Sequence, residues 1–277
     1  MIVDVKDFVK QEKEKIKKQS NEPIKRMLII QVGDNPASNA YIKGKIKDAE
    51  ELGHQAMLMK FPEWVSADMV LNFLKDNAKN YDGVILQEPA NITEDHCFTK
   101  TKKQDIINFI EDWQDIDGFK KTSQYKPATP RGIVEFLNNY YEPHKNPGSD
   151  FMRNNLTGKV IAVVGKGKLV GEPLVPMLMK KGATVISCNS KTPDLGAMTR
   201  QADIVIAAAG VRGLIQNDMV EDGTLVIDAG INVDEDGKLC GDCSKDIYER
   251  RAVQITPVPG GVGLLTRLAL MKNLLGK

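Results

Sequence analysis

Cysteine, histidine and tryptophan are scarce: the 277 residues include 4, 3 and 2 of them. Four cysteines (Cys97, Cys188, Cys240, Cys243) at irregular spacing are too few for a disulfide framework in a chain this long, which points to a reducing compartment. The histidines (His54, His96, His144) are scattered without ligand spacing, and Cys240-Gly-Asp-Cys243 has no second pair to complete a zinc site. No metal is expected, and that pair reads as two incidental thiols in a loop. An excess of one charge is also missing. With 38 Lys and Arg against 37 Asp and Glu, the net charge of +1 excludes a global field that would hold nucleic acid or an anionic membrane. No apolar run reaches the ~18 residues of a membrane helix, and the N-terminal MIVDVKDFVKQEKEKIKKQ lacks the apolar core of a secretory signal. The expected location is cytoplasmic and the expected partner a small molecule. What is present is an ordinary globular balance, 42% apolar and 27% charged. A single core stops growing efficiently near roughly 250 residues, so two lobes are expected.

The apolar pattern organises the chain. Residues 2–20 read as a charged amphipathic helix, and MLIIQVG (27–33) as a buried strand. Asn35-Pro36 supplies an N-cap and a first-turn proline for a helix that Gly53 stops, with Ile42, Ile46, Ala49 and Leu52 as its core stripe. HQAMLMKF is a second strand, 66–79 a second helix, and YDGVILQEP a third strand whose carboxyl end is Gln87. This alternation implies a parallel sheet, whose ligands bind beyond the carboxyl ends of the strands; Tyr41, Lys45 and Gln87 are thereby placed near one crevice. A helix starts at Thr129-Pro130-Arg131-Gly132, and the polar stretch 142–155 then interrupts, putting the lobe boundary in this region. KVIAVV, TVISC, DIVIAAAG and TLVIDAG continue as strands, and GLLTRLALMKNLLG ends the chain as an amphipathic helix.

After KVIAVV comes Gly165-Lys166-Gly167-Lys168-Leu169-Val170-Gly171, a glycine-rich turn opening a helix. Such a turn lets backbone amides approach a pyrophosphate closely. The next strand ends in Cys188-Asn189-Ser190-Lys191-Thr192, where a fold reading NAD places an acid on the ribose 2′-hydroxyl. No acid stands there. Lys166, Ser190 and Lys191 offer donors and positive charge suited to a 2′-phosphate, favouring NADP.

Seven segments in register, VGDNPASNAYIKGK (32–45), YDGVILQEP (81–89), DIDGF (115–119), ATPRGIVEFL (128–137), VVGKGKLVGEP (163–173), VIDAGIN (226–232) and TPVPGGVGLLT (256–266), resemble the bifunctional methylenetetrahydrofolate dehydrogenase/methenyltetrahydrofolate cyclohydrolase family. The resemblance covers nearly the whole length. It implies oxidation of 5,10-methylenetetrahydrofolate with NADP and hydrolysis of the methenyl product to 10-formyltetrahydrofolate, by a homodimer with two lobes and a cleft between them. The fold it implies is α/β, with an N-terminal catalytic lobe (1–128 plus 262–277) and a Rossmann-like lobe (129–261), the last helix returning to the first lobe.

The resemblance also implies roles. Tyr41 packs on the aminobenzoyl ring, Lys45 is the central catalytic group, Gln87 hydrogen-bonds and tunes that lysine, and Asp117 anchors the pterin beside a partly structural Asp115. Pro257, Gly260, Gly261 and Val262 close over the pterin, while Gly165, Lys166, Gly167, Ser190 and Ile231 contact NADP. The chemistry agrees. Hydride transfer needs mainly positioning, whereas hydrolysing the methenyl carbon needs an activated water; Lys45 can serve as its base only if its pKa falls far below the lysine range.

Two departures from the family pattern matter. Glu88 stands where the family has leucine and, facing the cleft, would hold Lys45 protonated, leaving a dehydrogenase-only enzyme as the alternative. Lys166-Gly167 replaces the usual Arg-Ser, which loses bidentate capture of the 2′-phosphate and leaves NAD as the alternative cofactor. A decayed dinucleotide sensor is the remaining alternative, opposed by the intact Tyr41, Lys45, Gln87 and Asp117 set.

Overall fold

The computed structural model describes residues 1–19, 23–90, 92, 102–141 and 156–277. Cys97, His96, His144, Asn91 and the polar stretch 142–155 lie outside the described residues. The chain forms two compact units, one of Met1–Gln11 with Thr129–Thr266 and the other of Glu12–Ala128 with Arg267–Lys277.

The second of these units carries α1 (Val5–Gln19, shared with the first), β1 (Arg26–Val32), α2 (Pro36–Glu51), β2 (Gln55–Phe61), α3 (Ala67–Asn77), β3 (Gly83–Leu86) and α4 (Lys103–Phe109). Its sheet runs β2-β1-β3, all parallel. The central strand β1 is buried from Met27 to Val32, which is why it reads as an unbroken apolar run without alternation. The cap is as the dipeptide predicts: Asn35 Oδ1 accepts from Ser38 N at 3.0 Å, and Gly53 at φ +83° takes the chain out of α2. The short helix α4 carries no strong sequence signal and was not expected; only Ile106 of its seven residues is buried.

The other unit contains α5 (Ala128–Tyr140), β4 (Val160–Val164), α6 (Gly171–Met179), β5 (Thr184–Cys188), α7 (Leu195–Thr199), β6 (Ile204–Ala207), β7 (Leu225–Asp228), the hairpin β8 (Asn232–Val233) and β9 (Leu239–Cys240), α8 (Lys245–Glu249), β10 (Gln254–Ile255) and the start of α9 (Val262–Leu274). Its main sheet is β10-β7-β6-β4-β5, entirely parallel. From β4 the chain moves outward to β5 and then crosses back to β6 on the other side. This reversal opens a crevice at the carboxyl ends of β4 and β6, the place where such sheets bind nucleotides.

The final helix corrects its amphipathic reading, for it is buried on nearly every side. Its polar residues survive burial because each has a partner. Thr266 Oγ1 is hydrogen-bonded to Thr129 Oγ1 at 2.9 Å, Lys272 Nζ meets Glu12 at 2.7 Å, and Asn273 Nδ2 donates to the carbonyls of Ile116 (2.6 Å) and Lys126 (3.2 Å).

Candidate active site

Helix α2 presents Tyr41 and Lys45 one turn apart, and the Lys45 Nζ lies 5.1 Å from the Tyr41 ring centroid. Lys45 is 2% exposed. Its Nζ stands 3.5 Å from Asp117 Oδ2, long for a charge-assisted hydrogen bond. Burial pushes the Lys45 pKa below the lysine range, and the Asp117 carboxylate opposes that shift without cancelling it. An ammonium with three donors, one distant carboxylate and an aromatic face is under-solvated, which is the condition that base chemistry requires.

Asp115 and Asp117 come from one tight turn. Asp115 accepts from Phe119 N (3.2 Å) and Lys120 N (2.8 Å), so it shapes the loop, and burial raises its pKa. Gly118 sits at φ +71°, where an added Cβ would come within 2.7 Å of Pro127 N. Only glycine lets the turn close and deliver Asp117 to Lys45.

Gln87 behaves differently from the expected lysine partner. Its Nε2 donates to the Glu88 carbonyl at 2.8 Å, and its Oε1 is buried with no hydrogen-bond partner; no bond to Lys45 is present among the described residues. A buried acceptor left unmade costs roughly 1–3 kcal/mol, so Gln87 retains acceptor capacity for a donor. The neighbouring Glu88 does not neutralise Lys45: its carboxylate meets Lys103 Nζ at 2.6 Å and accepts from Ala90 N at 2.9 Å. Glu88→Gln is therefore expected to leave the pH profile of any Lys45-dependent step where it is, because the charge removed is already paired elsewhere. A shift of that profile toward lower pH would show that Glu88 acts on the lysine.

A charge network escaped the sequence reading. Asp48, 3% exposed and one turn beyond Lys45, meets Lys13 Nζ at 2.7 Å and Arg267 Nε at 3.0 Å, and Lys13 also reaches Glu51 at 2.7 Å. The Arg267 side chain crosses α2 at Gly44, where an added Cβ would fall 1.6 Å from its Nη1. This glycine inside Tyr-Ile-Lys-Gly-Lys was the available signal. A cavity of about 510 Å³ opens at the carboxyl ends of β1 and β3, lined by Val32–Pro36, Glu63 and Pro89; Lys45 is not part of its lining.

In the other unit the glycine turn after β4 is built for close approach. Gly165, at φ +116°, would drive a Cβ to 2.3 Å from Ala208 O, and a Cβ on Gly171 would come 1.9 Å from Gly165 O. Both glycines are forced by packing. Gly167 is exposed with open space around it, so packing does not require glycine there. Lys166 is exposed, and its charge is felt by the buried Cys188 thiol. After β5, Asn189 N donates to Thr192 Oγ1 (3.0 Å) and Lys191 N to Asn189 Oδ1 (2.8 Å), a turn that leaves Ser190 and Lys191 exposed. Ile231 is 66% exposed. These residues fit a dinucleotide carrying an extra phosphate.

The loop after β10 is compact. Gly260 takes φ +104°, a Cβ on Gly261 would meet Pro257 O at 2.4 Å, and Val262 is buried at the start of α9. Cys240 and Cys243 are both free thiols. Cys243 is buried and its thiol is driven far up by burial and by Asp228, which removes thiolate chemistry, while the intervening Asp242 is fully buried and heavily bonded.

Comparison with known proteins identifies the family. The model of the tetrahydrofolate dehydrogenase/cyclohydrolase catalytic domain matches residues 3–117, and that of its NAD(P)-binding domain matches residues 127–277. The bifunctional protein FolD of Acidovorax ebreus is 36% identical over 261 residues, covering 90% of this chain and 86% of that protein. Its counterpart in Polaromonas naphthalenivorans is 37% identical over 260 residues with the same coverage. The crystal structure of the bifunctional FolD methylenetetrahydrofolate dehydrogenase/cyclohydrolase of Campylobacter jejuni superposes with a TM-score of 0.83 at 32% identity, covering 100% of this chain and 97% of that one. With both domain models matched in order across almost its entire length, the chain belongs to the tetrahydrofolate dehydrogenase/cyclohydrolase family.

Proposed function

We propose that this enzyme oxidises 5,10-methylenetetrahydrofolate to 5,10-methenyltetrahydrofolate with NADP and hydrolyses the product to 10-formyltetrahydrofolate. The observation that carries the reading is the buried Lys45 with its lowered pKa, held between Tyr41 and Asp117.

NADP, when bound, supplies the hydride acceptor. Lys166 and Ser190 are assigned to its 2′-phosphate, and Gly165, Gly167 and Ile231 to the rest of the nucleotide. Tyr41 orients the substrate by stacking, Asp117 binds the pterin, and Pro257, Gly260, Gly261 and Val262 border it. For hydrolysis, neutral Lys45 Nζ takes a proton from the water that adds to the methenyl carbon. One carbon–nitrogen bond of that carbon then breaks, leaving the formyl group on the other nitrogen, and a single proton is released overall. Gln87 Oε1 is the acceptor assigned to steady the lysine. Among the described residues no helix is long and apolar enough to cross a membrane; we place the enzyme in the cytoplasm, as a homodimer.

The two activities separate in one experiment. Methenyltetrahydrofolate supplied without nucleotide is expected to be hydrolysed faster than in buffer, and methylenetetrahydrofolate with NADP to yield the methenyl absorbance or its hydrolysis product. Unaccelerated hydrolysis with intact oxidation leaves the dehydrogenase-only enzyme.

A further inference from the structure

Two buried carboxylates of the nucleotide-binding unit, Asp228 and Asp242, are held by hydrogen bonds from neutral donors, and neither makes an ion pair among the described residues. Asp228, at the carboxyl end of β7 and 1% exposed, accepts through Oδ1 from Gly230 N (3.0 Å) and Asp242 N (2.9 Å), and through Oδ2 from Cys243 N (3.0 Å) and Tyr248 Oη–H (2.8 Å). Asp242, 0% exposed, accepts through Oδ2 from Ala209 N (2.7 Å) and Gly210 N (2.9 Å), and through Oδ1 from Asn232 Nδ2 (2.8 Å). Successive backbone N–H groups like those of Ala209 and Gly210 form a concave anion nest, and here the protein's own carboxylate fills it.

The placement of that nest gives Asp242 a purpose. Ala208–Gly210 directly follows β6, one of the two strands that border the nucleotide crevice, and its Ala208 carbonyl is the wall against which Gly165 packs. On its other side Asp242 contacts the loop after β7: a Cβ on Gly230 would fall 2.2 Å from its Oδ1, and Asn232 is bonded to it. Ile231 lies between those two residues. One buried carboxylate thus ties the loops at the ends of β6 and β7 to each other. A neutral side chain cannot do this equally, because an amide offers one acceptor and places donors against Asn232.

We propose that Asp242 is a positioning residue for the nucleotide: by holding the Ala209 and Gly210 amides it fixes the wall behind Gly165 and the exposed Ile231, and so preorganises the crevice for NADP. This rests on the assignment of NADP to that crevice. It gives the Cys-Gly-Asp-Cys segment a function carried by the residue between the cysteines.

Asp242→Ala and Asp242→Asn, made in the full chain, test it by three measurements. Calorimetric titration with NADP in the absence of folate is expected to show affinity weakened about tenfold or more in Asp242→Ala, the size of losing charge-assisted bonds to two amides, and less in Asp242→Asn. Hydrogen exchange at the Ala209 and Gly210 amides is expected to quicken in the nucleotide-free variants. Methenyltetrahydrofolate hydrolysis without nucleotide is expected to be unchanged, which separates positioning from a general loss of structure. Should Asp242→Ala fail to fold, Asp242→Asn decides alone. Wild-type affinity in a folded variant, or unchanged exchange at both amides, overturns the inference while leaving the cofactor assignment standing. Absence of NADP binding to the wild-type chain overturns the assignment and the inference together.

Discussion

Lys45→Met is expected to reduce methenyltetrahydrofolate hydrolysis by about 10²–10⁴-fold, the usual contribution of a positioned general base, while oxidation of methylenetetrahydrofolate persists in part. Methionine keeps the length and apolar stem of the lysine and removes the titrating nitrogen. The split follows from the chemistry, since hydride transfer asks the protein for orientation and only the hydrolysis moves a proton through this side chain. Lys45→Arg is expected to fail equally in hydrolysis, because a guanidinium does not deprotonate. In the wild type, hydrolysis should rise with pH as Lys45 loses its proton, with a midpoint below the ordinary lysine range. Equal hydrolysis in Lys45→Met and wild type would end the assignment.

The same group leaves a signature in stability. The unfolded chain keeps the lysine protonated up to its ordinary pKa, whereas folded Lys45 releases its proton at lower pH. Between those two points the unfolded state binds more protons, so stability rises with pH; below the folded pKa the full cost of the desolvated ammonium is present. Denaturant midpoints measured across that window should rise in the wild type and not in Lys45→Met.

Asp228→Ala should cost at least about 3 kcal/mol of stability, since it orphans three buried backbone donors and the part-buried Tyr248 hydroxyl, and each unsatisfied buried donor costs roughly 1–3 kcal/mol. Deleting the carboxylate also removes its desolvation cost. That gain is the smaller term, because four hydrogen bonds already replace the water the carboxylate gave up. Asp228→Asn should fall between, keeping an acceptor for two of the backbone amides but turning an NH₂ toward the Cys243 N–H. Tyr248→Phe should lose only about 1 kcal/mol, the worth of one bond. Urea unfolding of the three variants checks the order; an Asp228→Ala protein as stable as Tyr248→Phe would show that the network does not hold the unit together.

Much of the fold is legible in the sequence. The β1 run, the Asn35-Pro36 cap, the Gly53 stop and the strand before Gly165 all depend on neighbours a few residues away, and they fold as their chemistry dictates. Helix α4 was missed because a seven-residue helix with one buried side chain has almost no periodic pattern. The last helix was misread because Thr266, Lys272 and Asn273 look like a solvent face until their distant partners are known. Asp242 has no local signal of its own in the sequence, because the groups that need its carboxylate, at 209–210 and 232, lie far from it along the chain.

By itself the amino-acid order determined the alternation of strands and helices, the parallel sheets that follow from it, and which side chains were available for folate and nucleotide chemistry. Only the tertiary structure decided what state those side chains are in. Lys45 and Asp117 are 72 residues apart and meet through a turn that glycine alone can close. Glu88 turns to Lys103, and the carboxylates of Asp228 and Asp242 are satisfied by amides and a tyrosine hydroxyl. Propensity and capping act over a few residues, whereas desolvation and charge pairing belong to everything packed around a group, whatever its distance along the chain.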